Sequence, residues 1–118
     1  LTVEEQRAVR ENLEDQEALA IFDLLREGKE LEGKELKQVK KVARETLDKL
    51  KAEKLKIERW RESRQITAQV KGMIYDNLLW LPEDVYTDED VSLKTVSVYQ
   101  HIYSNYYGGG KSVYQQAS

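Results

Sequence analysis

A chain of 118 residues, 40% of them hydrophobic, is sized for one domain with a modest core. It has no cysteine and a single histidine, His101, which excludes disulfides, thiolate metal sites and a histidine cluster for zinc. The net charge of −3 conceals an asymmetry: residues 1–33 hold ten acids against four bases, residues 34–64 twelve bases against six acids, and residues 65–118 six acids against three bases.

A single proline, Pro82, in the whole chain argues for long helices. Thr2-Val3-Glu4-Glu5 reads as a capping box that opens a first helix running to about Leu13. The second, in "DQEALAIFDLLRE", is apolar nearly all round through Ala18, Leu19, Ala20, Ile21, Phe22, Leu24 and Leu25, and is expected to be the buried central element. Gly28 ends it, and "EGKELEG" forms a short loop.

The third helix carries the clearest periodicity: Leu36, Val39, Ala43, Leu47 and Leu50 recur at three- and four-residue steps before the stripe lands on Lys54. "LKIERW" then suits either a short extended link or the start of the next helix. A fourth helix, roughly Ser63 to Leu81, would bury Ile66, Val70, Ile74, Leu78 and Leu81 and stop at Pro82. Thr87 and Asp90 form a second capping box, opening a fifth helix with Val91, Thr95, Val98 and Ile102 on one face and an end at Gly108. The expected fold is therefore all-α, about five helices in one domain over residues 1–107, followed by a flexible Gly/Tyr tail over 108–118.

The tail contains Gly108-Gly109-Gly110-Lys111-Ser112, which invites comparison with a phosphate-binding loop. Such a loop needs a glycine five positions before the Gly-Lys pair, and Asn105 stands there. It also needs a buried strand before it and a helix after it, whose N-terminus holds the phosphates. Neither fits, so the match is read as accidental, and no cofactor site is expected.

Paired acids are concentrated at helix starts, as in Asp88-Glu89-Asp90, where they complement the helix dipole rather than form a catalytic pair. Asp23 and Asp76 interrupt apolar runs and are expected to face solvent or a lysine. His101 lies among tyrosines with no nucleophile turn nearby, and is expected to be a packing residue. No catalytic or metal-binding residue is assigned.

Two binding surfaces are candidates. Tyr99, Tyr103 and Tyr107 step by four along one helical face, with Tyr106 to one side and Tyr114 further on; tyrosine-rich surfaces suit protein contact. Lys37, Lys40, Lys41, Arg44 and Lys51 are possible phosphate contacts on the basic helix. A winged-helix variant would take "KLKIERW" as its first wing strand, but "RESRQITAQVKGMI", where the second should be, reads as helix. No apolar run approaches the ~18 residues of a membrane span.

Taken in order, "LTVEEQRAVRENL", "ALAIFDLL", "VKKVARETLDKLKAEKL", Trp60-Arg61 and "VYQHIYSNYYGGGKSVYQ" resemble one family, the C-terminal helical domain of the restriction, or motor, subunit of type I restriction–modification enzymes. The resemblance spans essentially the whole chain. "RESRQITAQVKGMIYDNLLWLP" fits more loosely, with Gln65, Val70, Ile74, Leu78 and Leu81-Pro82 at the family's apolar and turn positions. The resemblance implies a non-catalytic part of an ATP-driven, DNA-cleaving cytoplasmic enzyme. It also implies partners: the methyltransferase and specificity subunits and the rest of the same motor subunit, with at most weak nonspecific DNA contact. The start at Leu1 without methionine suits a piece of a longer protein.

Overall fold

Lys34–Glu53 forms a 20-residue helix, α2, because its apolar positions return every three or four residues: Val39, Val42, Ala43, Thr46, Leu47 and Leu50 are all buried. The computed structural model describes residues 16–113. Within it, α1 is helical over residues 16–26, α3 spans Arg64–Leu78 and α4 spans Asp88–Asn105. A single 3-10 turn, Trp60–Glu62, links α2 to α3. Two short antiparallel strands follow α4: β1, Tyr106–Gly108, and β2, Lys111–Ser112.

The chain is mostly helical, as expected, but with four helices rather than five among the described residues. The helix expected to end near Leu13 lies outside them. The second expected helix is α1. It buries Ala18, Ile21, Phe22 and Leu25 but leaves Leu19 50% exposed. α3 packs against α2, α4 and the 3-10 turn.

The helix ends follow local chemistry. The Ser63 hydroxyl accepts from the Ile66 amide and caps α3. α3 stops at Leu78, short of Pro82, because Trp80 N–H and Leu81 N–H bond back three residues to Asn77 and Leu78 and tighten the chain. At α4 the Thr87–Asp90 capping box forms as expected.

The expected flexible tail begins as part of the fold. α4 ends at Asn105, not Gly108, and the division foreseen at residues 107/108 falls inside the β-hairpin. Gly109 and Gly110 form the two-residue loop between the paired Gly108 and Lys111, both at positive φ as tight hairpin turns require. Their amides donate to Ile57 and Leu55 carbonyls at 3.2 and 3.1 Å. The segment 54–60, one possible wing strand, is a run of turns that the hairpin docks onto.

Gly108 is needed where it sits. Its φ is +103°, and a Cβ there would lie 2.9 Å from both Arg59 N and Ile57 O. Gly108→Ala is expected to destabilise the chain by about 1–3 kcal/mol, read as a lower urea midpoint. Phe22, 4% exposed, belongs to the hydrophobic core. Phe22→Ala is expected to cost about 3–5 kcal/mol in thermal or urea unfolding.

Candidate protein-docking surface

At the end of the molecule where α4 meets the hairpin, the tyrosines divide into buried and exposed members. Tyr106 is 2% exposed and belongs to the core: its hydroxyl donates to Glu17 Oε1 at 2.8 Å and its carbonyl accepts from Trp60 Nε1 at 3.2 Å. It is therefore not a surface residue, because on β1 it alternates inward with Gly108 while Tyr107 points outward. Tyr114 lies outside the described residues.

Tyr99, Tyr103 and Tyr107 remain on one surface, but not by a continuous helical step. Tyr107 reaches it from β1, after α4 has ended. The organiser is Arg61, whose guanidinium sits 5.6 Å from the Tyr103 ring centroid and 5.2 Å from that of Tyr107, while Nη1 donates to the Tyr103 carbonyl at 3.1 Å. Trp60 meets Tyr103 edge-on at 6.0 Å, and Tyr99 lies 6.0 Å from Tyr103 on its other side. Tyr103 is 41% exposed. The cluster thus offers rigid aromatic edges, held by a cation and a buried tryptophan, at an accessible end of the fold. No spacing in the sequence signals Arg61, since it joins the tyrosines only across the tertiary fold.

The basic residues of α2 are exposed along one face, but not all are available to a phosphate. Lys51 bonds both carboxylate oxygens of Glu17, at 3.1 and 2.9 Å. Glu17 is itself 7% exposed, so this pair, with Tyr106, ties α1, α2 and β1 together. Lys41 lies 3.9 Å from Glu45, and Lys40 stands 5.7 Å over the Phe22 ring. Lys40 and Arg44 also rim an open groove of about 300 Å³ floored by Ala18, Leu19 and Phe22. Lys37 is exposed nearer the start of the helix.

Polar chemistry elsewhere is structural. His101 is half-buried, with Nδ1 3.2 Å from Asn105 Nδ2, and burial lowers its pKa. Asp23 is exposed and pairs with Arg26 at 3.0 Å, and Asp76 is exposed. Among the described residues no cluster of His, Asp or Glu is arranged to hold a metal ion, and no helix is long and apolar enough to cross a membrane. Lys111 is exposed on β2, and Gly109 and Gly110 donate their amides to the chain's own carbonyls instead of facing a phosphate.

The start of α4 holds the strongest electrostatic arrangement. Asp90 Oδ2 accepts from Lys29 Nζ at 2.7 Å and from Thr87 N–H at 3.0 Å, which lowers its pKa to about 2. Burial, and then the Asp90 charge, push the Tyr86 hydroxyl up to about 12; it donates to the Leu25 carbonyl at 2.7 Å. Comparison with protein-family models, curated proteins and solved structures returned no match to this chain.

Because folding lowers the Asp90 pKa, its stabilising contribution is complete above the ordinary value of 3.8 and is lost as pH falls toward about 2. Asp90→Asn should lower the melting temperature at neutral pH, and the gap from the parent chain should close across that acid window.

Proposed function

We propose that this chain is the helical C-terminal assembly module of the motor subunit of a type I restriction–modification enzyme. In this reading it docks that subunit on the methyltransferase core through the aromatic end organised by Arg61. The order of the family-like segments along nearly the whole chain supports the family. The exposed Tyr103 and the half-buried Tyr107, held around one guanidinium with the half-buried Tyr99 alongside, carry the docking role, because rigid aromatic and arginine side chains dominate binding energy at protein interfaces.

Nuclease and ATPase chemistry then belongs to other parts of the parent subunit, a cytoplasmic deoxyribonuclease that translocates DNA. The specificity subunit and the remainder of the motor subunit complete the set of partners. The chain itself contributes no cofactor-binding or catalytic residue in this reading.

The test is capture of the methyltransferase subunits by the full motor subunit. Tyr103→Ala with Tyr107→Ala is expected to weaken capture at least tenfold, about 1.4 kcal/mol, while leaving the far-ultraviolet circular dichroism of the 118-residue chain unchanged. Equal capture by parent and variant overturns the docking role of this end.

The exposed Lys37, Lys40, Lys41 and Arg44 on one face of α2 favour a second reading, an auxiliary DNA-contacting module. The acidic segments on either side limit counterion release, so duplex DNA should bind weakly and without sequence preference. A titration at two salt concentrations checks this. Tight binding that discriminates between sequences would identify a specific reader instead.

A further inference from the structure

The outer side of the α3–α4 pair is apolar although none of the described residues covers it. Tyr75 on α3 is 42% and Leu79, just beyond its end, 51% exposed; on α4, Leu93 is 59% and Val96 41% exposed. Between the helices runs an open groove of about 480 Å³ whose walls include Ala68, Tyr75, Ser92 and Val96. A patch of large exposed apolar side chains on a small domain marks an interaction surface.

Gly72 stands in this groove, inside α3. Glycine in a helix interior costs about 1 kcal/mol relative to alanine, so a compensating contact is expected. The described residues supply none, since a Cβ at Gly72 would meet nothing within 4 Å among them. The missing side chain instead leaves room for a backbone from outside to approach closely.

The charges along this face say which backbone. Arg64 opens α3, and from the middle of the helix the Lys71 ammonium lies 6.0 Å over the Tyr99 ring. At the opposite end are Asp76 and the first turn of α4, Asp88 and Glu89, with Leu79 and Asp88 lining a common hollow. The face is therefore positive at one end and negative at the other, with glycine and apolar groups between. A two-fold axis through the middle brings each end against its opposite, the self-complementarity that an isologous dimer requires.

We propose that two copies of the chain associate through the α3–α4 faces about a two-fold axis passing beside Gly72, with Arg64 of each copy facing Asp88 and Glu89 of the other. This surface is separate from the Arg61 cluster, and the inference does not depend on the family assignment.

Sedimentation velocity of the 118-residue chain at about 100 μM, in low and high salt, is the experiment. A dimer is expected at low salt, with dissociation increasing as salt rises. Gly72→Leu has open space in the monomer, so it should leave the circular dichroism intact and raise the dimer dissociation constant at least tenfold. Glu89→Lys should weaken the dimer, and adding Arg64→Glu in the same chain should restore it by exchanging the ends. A monomeric parent chain at that concentration overturns the proposal. So does a dimer that survives Gly72→Leu, or that is lost instead on Tyr103→Ala.

Discussion

The Trp60 indole is the constraint on which the arrangement of the other elements depends. It is fully buried, yet it carries an N–H that must find an acceptor, and the Tyr106 carbonyl provides it at 3.2 Å. That one bond connects the turn between α2 and α3 to the strand that follows α4. Arg59, at φ 56°, takes the left-handed conformation just before Trp60, where the chain turns into the 3-10 segment. Gly108, lacking a side chain, lets the hairpin backbone close over this turn. A side chain there would separate the strand from the turn, and the Tyr106 carbonyl would move away from the indole.

Charge plays a comparable part between the helices. The acidic start of the described chain and the basic α2 meet through Glu17 and Lys51, with the Tyr106 hydroxyl as a third partner. Lys94 from α4 donates to the Leu24 and Glu27 carbonyls, occupying the C-terminal end of α1 where the helix dipole favours a cation. Lys29, beyond that end, reaches Asp90 of the α4 capping box. Among the described residues no buried side-chain nitrogen or oxygen is left without a partner. The charge asymmetry along the sequence is thus partly consumed in holding helices together, and the basic segment is a weaker sign of nucleic acid than its composition suggests.

The surface that remains is divided. One end offers tyrosine edges around a guanidinium, which suits a partner that brings polar and apolar groups together. The α3–α4 face offers aliphatic groups, a glycine and opposed charges. The two differ in chemistry because the elements behind them differ: a short hairpin fixes the first, and two antiparallel helices frame the second.

Much of the helical content was legible in the sequence because it rests on local physics. The three- and four-residue steps of Val39, Ala43, Leu47 and Leu50, the Thr87–Asp90 capping box and the stop before Pro82 depend only on residues near one another in the chain. The buried stripe Val91, Thr95, Val98 and Ile102 was equally readable, as was the packing role of His101. What the sequence could not decide was the hairpin, the inward turn of Tyr106 and the place of Arg61 among the tyrosines. Each depends on residues some forty or more positions apart, such as Trp60 with Tyr106 and Arg61 with Tyr103. The helical period extended Tyr99 and Tyr103 to Tyr107 and so predicted one continuous face. Only the tertiary structure ends α4 at Asn105, because the Asn105 carbonyl accepts from Val113 N–H just past the returning strand and the glycine amides find carbonyls at Leu55 and Ile57. Local periodicity determined the helices; long-range hydrogen bonds and the close approach allowed by Gly108 decided which side chains meet at the surface.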